Sequence, residues 1–347
     1  MSEPSTSRAV QHPAACAKQS VFKPMSWQSA LREAIRKPGE LLEMLDLDPA
    51  SAEKYDPEGS EFPLLVPRSF VARMRKGDPR DPLLLQVLPQ LWERVDVAGF
   101  SRDPLGEMAF ASDGVLKKYA GRALLITTAA CPIHCRYCFR RHFPYSEQHT
   151  RKNHWDRVFK ALRQAENITE VILSGGDPLS LSDQSLAKLV SAVEELDFVD
   201  TLRIHTRFPI ILPERVNAGL LETLSETHLN TVLVVHCNHA NEIDDSVRTA
   251  LRRLKSTGTQ LLNQSVLLLG INDAVDRLEA LSRALFNCGV LPYYLHLLDP
   301  VAGAAHFEVD ESRARKLVTS LQNRLPGYLV PRLARDVPGE LSKTIIL

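Results

Sequence analysis

From residue 122 onward the chain alternates short apolar runs with longer amphipathic ones. The apolar runs are RALLITT (122–128), EVILSG (170–175), TLRIHT (201–206), NTVLVVH (230–236), QLLNQSVLL (260–268), PYYLHLL (292–298) and GYLVPRL (327–333). Between them, the stretches 153–166, 183–196, 213–225, 244–256, 273–287 and 310–323 repeat apolar residues at helical spacing. The short runs predict strands and the longer ones helices. Strands alternating with helices predict βαβ units on a parallel sheet. Six or more such units predict an α/β fold of partial (β/α)6 TIM-barrel type, with its chemistry at the C-terminal ends of the strands.

Upstream the rhythm is missing. Residues 1–20 are polar and predict disorder. Within 26–48, Trp27, Leu31, Ile35, Leu41, Leu42 and Leu45 keep a helical pattern that Pro38 interrupts. Residues 55–103 are rich in proline and charge, which predicts an irregular, partly helical layer packed on the core. The expected organisation is a disordered terminus (1–20), a mainly helical N-terminal region (21–115), a barrel core (116–333) and a C-terminal segment (334–347).

Composition narrows the classes of function. Lysine plus arginine total 42, as do aspartate plus glutamate, so the formal net charge is zero. That argues against broad binding of nucleic acid or anionic membrane. The polar N-terminus lacks a signal peptide's apolar core, and no run is long and apolar enough to span a bilayer. A cytoplasmic protein is expected. Three of the six cysteines fall within eight residues, and in a reducing compartment such clustering favours metal over disulfides.

Those three are Cys131, Cys135 and Cys138, spaced C-x3-C-x2-C after the first strand. Three thiolates on one tight loop suit three irons of a [4Fe-4S] cubane and leave the fourth iron open. The alternative is a zinc site with His134 as fourth ligand, cramped within so short a loop. Cys16, Cys237 and Cys288 are scattered and read as structural. The next strand ends in Ser174, Gly175, Gly176 and Asp177; glycines at a strand end permit close backbone approach. By itself that is a weak signal, since such a segment is more often a simple turn.

The cysteine spacing, with Tyr137 before the last cysteine, resembles the radical S-adenosylmethionine (SAM) superfamily. In that superfamily the free iron chelates SAM, whose reductive cleavage yields a hydrogen-abstracting radical. The resemblance implies that Ser174–Asp177 lies along the amino group of SAM and that His236 and Gln264 touch SAM or its adenosine. Further segments sharpen the likeness: ILSGGDPL, HTRFPIILPERV, HCNHANE, LLNQSVLLLGIND, LLDPVAGAAHF and DVPGELSKT. Together they resemble the lysine 2,3-aminomutase family over roughly residues 60–347, and within it the short EpmB branch that serves elongation factor P.

That family also uses pyridoxal 5′-phosphate (PLP), because an amino group migrating from the α to the β carbon needs an imine to carry it past a radical centre. The resemblance implies that Lys343 anchors PLP, although the segment GELS before it is poorer in glycine than the family's. It implies that Arg122 contacts the PLP phosphate, that Arg140 grips the substrate carboxylate with Arg141 as the alternative, and that Asp299 and Asp336 hold the ε-ammonium of L-lysine. Taken singly, each has a plainer reading as a surface charge or a turn residue. The implied activity is an isomerase making β-lysine as the R isomer, with flavodoxin or ferredoxin as electron donor and a link to elongation factor P and its lysyl-ligase. A catabolic or osmolyte-producing aminomutase, or a non-catalytic iron–sulfur scaffold, are the competing readings.

Overall fold

The computed structural model describes residues 26–48, 55, 62–108, 115–116, 121–144, 154–164, 167–340 and 342–346. The expected disorder of residues 1–20, and Cys16, lie outside them.

One nine-stranded sheet organises the chain, and its strand order is the chain order. The strands are β1 (Val115–Leu116), β2 (Arg122–Ile126), β3 (Glu170–Ser174), β4 (Thr201–Thr206), β5 (Asn230–Val235), β6 (Gln260–Val266), β7 (Leu291–His296), β8 (Arg332–Arg335) and β9 (Thr344–Ile345). Strands β2 to β8 pair in parallel, seven strands joined by six helical crossovers, as the partial (β/α)6 reading expects. The edge strands β1 and β9 are antiparallel to their neighbours. Among the described residues β1 and β9 do not pair, so the sheet is an open, curled partial barrel.

Each crossover carries a helix close to the span its sequence predicts: His154–Arg163, Asp183–Glu194, Ala218–Glu226, Asp245–Lys255, Val275–Phe286 and Glu311–Gln322. Four start on side-chain caps: Ser182, Asn217, Asp244 and Asp310 each accept a backbone N–H from the first turn. Their buried leucines and valines pack on the outer face of the sheet. The final strand departs from expectation. Gly327–Leu329 forms a 3-10 turn and the strand comes later, at Arg332–Arg335. Pro326 and Pro331 bracket that turn, and proline withholds the donor a central strand needs.

The N-terminal region is part of the same body. Pro38 does not break a long helix but begins a second one, Pro38–Met44, after Trp27–Arg32. Beyond these, the described part of 21–115 holds a single helical turn, Arg68–Val71, and a 3-10 turn, Leu91–Arg94, joined by turns and irregular stretches. Trp27, Ile35, Leu41, Leu42, Phe70, Leu83 and Leu84 share one apolar core with β2 to β6. At the other end, β8 runs across the expected boundary at residue 334. No helix among the described residues is long and apolar enough to cross a membrane.

Candidate active site

A barrel interior is ordinarily filled by branched apolar side chains. Here several inward positions are polar instead, beside apolar ones such as Leu124 and Ile172. On β4, Leu202, Ile204 and Thr206 are buried while Arg203 and His205 alternate with them, and both line a cavity of about 460 Å³. Gln264 of β6, Tyr294 and His296 of β7 and Arg332 of β8 line it as well. A register shift between Asn263 and Gln264 interrupts the pairing of β6 with β7. It lets consecutive residues, Tyr293 and Tyr294, both reach the cavity. The volume lies in the range of small-molecule and cofactor sites.

Fourteen of the residues singled out from the sequence line this one cavity, though Arg141 does not: Cys131, Cys135, Cys138, Arg140, Arg122, Ser174, Gly175, Gly176, Asp177, His236, Gln264, Asp299, Asp336 and Lys343. They come from opposite ends of the curled sheet. The cysteine loop follows β2, and Lys343 immediately precedes β9. Arg122 opens β2, at the end of the sheet away from the cysteine loop. The cavity therefore runs the length of the strands rather than sitting only at their C-terminal ends. Arg122 is half-exposed and pairs with Glu170 at 3.3 Å, which also holds Arg203.

The glycines have a structural reason. Gly175 has φ of +122°, and a Cβ there would stand 2.7 Å from the Thr128 carbonyl oxygen; one on Gly176 would stand 2.4 Å from that of Ala130. Gly176 N–H donates to Thr128 O at 2.6 Å and Asp177 N–H to Ala130 O at 2.8 Å. The segment thus zips onto residues 127–130, the lead-in to the cysteines. The Asp177 carboxylate is taken up internally, by Thr206 Oγ1 at 2.7 Å, the Arg207 N–H at 2.7 Å and the Leu179 N–H at 3.0 Å. Burial outweighs these bonds and pushes its carboxyl up to about 6.

From behind, the N-terminal region grips the cysteine loop. The His134 N–H donates to Leu65 O at 3.0 Å and the Arg136 N–H to Gln86 O at 2.9 Å. His134 Nδ1 lies 2.8 Å from Pro63 O, and its ring stacks on Phe62. That turns His134 away from the cysteines, against the zinc alternative. Two zinc-bound sulfurs lie about 3.8 Å apart, from Zn–S bonds of about 2.3 Å at a tetrahedral angle. No group of three or more His, Cys, Asp or Glu among the described residues converges that way on one ion. Three cysteines along one wall of the cavity are the kind of thiolate donor set that iron–sulfur clusters use. Burial pushes the Cys138 thiol up to about 11, with Cys135 adding, and that of Cys131 well above its ordinary value, with Cys138 and Cys135 adding. Bound iron would reverse that.

Arg140 and Arg141 part company. Arg140 lines the cavity, held by Glu107 (Nε to Oε2, 2.7 Å; Nη2 to Oε1, 3.3 Å) and by Ser174 Oγ at 2.9 Å. Arg141 points away and joins Arg136 on the buried carboxylate of Glu93, so it does not serve as the alternative to Arg140. Lys343 Nζ pairs with Asp336 and lies 5.9 Å from the Tyr294 ring centre. Cys237 and Cys288 are buried and do not line the cavity.

Three partly buried histidines face the same space. Burial holds His205 far below its ordinary value, His236 down to about 4 and His296 down to about 3, with Lys343 adding to each. His205 Nε2, His236 Nε2 and Gln264 Nε2 are buried without a hydrogen-bond partner in the protein. Such atoms are rarely left unsatisfied, and all three belong to cavity-lining residues, so a polar ligand fits there. Sequence reading missed Arg203, Arg332, Glu107 and His296. The alternation in TLRIHT was the available signal for Arg203, because a charge at a strand's inward position needs an occupant or a counter-ion.

Residues 125–281 match the radical SAM superfamily model. The chain is 45% identical over 325 residues to the L-lysine 2,3-aminomutase of Escherichia coli (strain K12), covering 92% of this chain and 93% of that protein. It is 44% identical over 321 residues to that of Haemophilus influenzae, covering 92% and 95%. To the L-lysine 2,3-aminomutase of Clostridium subterminale it is 31% identical over 326 residues, covering 92% of this chain but 77% of the longer relative. Likeness of that order, running almost the whole length of the Escherichia coli and Haemophilus influenzae relatives, means that the chain belongs to the L-lysine 2,3-aminomutase family of radical SAM enzymes.

Proposed function

We propose that the protein converts L-lysine to β-lysine. One observation carries this reading: a single cavity joins the three-cysteine loop, Lys343 and the carboxylates of Asp299 and Asp336. Cys131, Cys135 and Cys138 hold a [4Fe-4S] cluster, Ser174 to Gly176 with His236 and Gln264 bound SAM, and Lys343 with Arg122 holds PLP. The cluster with SAM supplies hydrogen-abstracting radical chemistry, and PLP supplies an imine for the migrating nitrogen.

The chain's own residues select and orient the substrate. Arg140 receives the α-carboxylate, its fork presented by Glu107 and Ser174. Asp336 already takes an ammonium, that of Lys343. With Lys343 committed to a bound PLP, the same carboxylate, with Asp299, would be available to the ε-ammonium of lysine. A glutamate in this site would set its side-chain carboxylate against two aspartates. His205, His236 and His296 stay neutral, so they donate or accept hydrogen bonds without adding positive charge beside the substrate ammonium.

The reading extends to a cytoplasmic enzyme reduced by a flavodoxin- or ferredoxin-like donor, making the R isomer for elongation factor P and its ligase. Full-length similarity to the short bacterial relatives supports the branch. The test is chiral analysis of products from free lysine, SAM, PLP and dithionite under anaerobic conditions. (R)-β-lysine is expected. Fully clustered protein that makes no β-lysine would refute the reading, and the S isomer would move the chain to the catabolic or osmolyte branch.

A further inference from the structure

We infer that Arg207 sets the reduction potential of the iron–sulfur cluster through the sulfur of Cys135, acting as a positioning residue. This rests on the cluster reading above. Arg207 follows β4, and its guanidinium is buried between the rings of Phe70 and Tyr137, 5.8 and 5.7 Å from their centres. Its Nη1 donates to Cys135 Sγ at 2.7 Å. Its Nη2 donates to Glu242 Oε2 at 3.0 Å and to Gln86 Oε1 at 2.7 Å.

The surroundings leave this guanidinium little freedom. Glu242 and Gln86 are fully buried. Glu242 Oε1 accepts the N–H groups of Asn238 and His239 and the amide of Gln86. Gln86 Oε1 also accepts from Asn238 Nδ2, at 3.1 Å, and Asn238 Nδ2 donates in turn to the Tyr137 hydroxyl at 2.7 Å. A connected network of this kind fixes its members in one arrangement. An ordinary structural arginine would end on Glu242; this one spends its remaining arm on a cysteine sulfur.

The sign of the effect follows from charge. A cubane carried by three thiolates gains one negative charge on reduction. A donor on a ligand sulfur stabilises the reduced form more than the oxidised one, and hydrogen bonds to sulfur are among the terms that set such potentials. Removing the donor and its charge makes the cluster harder to reduce. Removing the counter-charge of Glu242 while keeping Arg207 makes it easier to reduce.

The experiment is an EPR-monitored redox titration of the reconstituted full-length protein, with iron and sulfide content measured alongside. Arg207→Met is expected to shift the reduction equilibrium about tenfold toward the oxidised cluster, a fall of about 59 mV for one electron. Glu242→Gln is expected to shift it in the opposite sense, which general loosening of the site does not explain. Wild-type potential in Arg207→Met overturns the inference. Where Arg207→Met takes up no cluster, Glu242→Gln decides, and an unmoved or lowered potential there overturns it. Wild-type protein that binds no iron and sulfide overturns the cluster reading and this inference with it; a normal wild-type cluster with unmoved variants overturns this inference alone.

Discussion

Replacing Gly176 with alanine adds a methyl group where the chain has no room for one. Its Cβ would meet Ala130 O at 2.4 Å and the carbonyl carbon and oxygen of Ala129 at 2.7 Å each. Ordinary contact begins at 3.4 Å, so residues 129–130 must retreat by about 1.0 Å (3.4 minus 2.4). These are backbone atoms, tied down by the bonds from Gly176 N–H to Thr128 O and Asp177 N–H to Ala130 O, so no flexible side chain absorbs the strain. Overpacking costs about 1–3 kcal/mol, and a backbone clash belongs at the upper end, about 3. Unfolding entropy of about 2.1 cal/mol/K per residue over 347 residues gives about 0.7 kcal/mol/K, so Tm falls by about 4 °C. Cys131 is the next residue, so iron uptake should fall as well. Thermal unfolding and iron-to-protein ratio read both effects. Gly39→Ala is the control, since a Cβ there meets nothing within 4 Å and alanine suits a helix better. A Gly176→Ala protein that melts with the wild type and carries its full iron would refute the packing argument.

Other changes are as definite. Lys343→Ala should abolish the absorbance and borohydride trapping of bound PLP; unchanged trapping would remove Lys343 from that role. Glu93→Gln leaves Arg136 and Arg141 buried beside a neutral amide and should cost about 3–5 kcal/mol in chemical denaturation. The Glu93 carboxyl is raised by burial but lowered more strongly by the two arginines, so its net pKa is depressed. Its stabilisation is present above the ordinary carboxylate pKa and lost as pH falls through the lowered one, and Glu93→Gln should show a flatter loss of stability in that acid range. His236, also depressed, stabilises above 6.5 and loses that contribution as pH falls toward about 4; His236→Gln should unfold less steeply over that interval. Asp336→Ala should raise KM for lysine at least tenfold, whereas equal losses with lysine and with a side-chain-neutral analogue would argue against an ammonium contact.

The repeating core was legible because each strand is short, apolar on at least one face and followed by a helix of 3.6-residue period. The exception, Gly327–Leu329, was misplaced since apolar content alone does not separate a strand from a proline-bounded turn. Cys131, Cys135 and Cys138 were legible from spacing, and Lys343 and Asp336 only from their neighbours in a motif. What stayed hidden was long-range pairing. Arg207 to Cys135 spans 72 residues and Arg136 to Glu93 spans 43, and no periodicity records which arginine meets which carboxylate. Nor did the sequence show that the Asp177 carboxylate accepts from Thr206 and from the backbone N–H groups of Arg207 and Leu179.

The open sheet has a mechanical consequence. Among the described residues the seam between β1 and β9 carries no ladder of backbone hydrogen bonds, and the groups expected to bind ligands approach it from both sides, the cysteine loop from β2 and Lys343 from β9. Ligands reaching from one side to the other would act as a non-covalent staple, supplying the closure that an eighth parallel strand supplies in a full barrel. Amide hydrogens of β8 and β9 should therefore exchange faster than those of β3 to β6 in the bare protein, and slow most when the cavity fills.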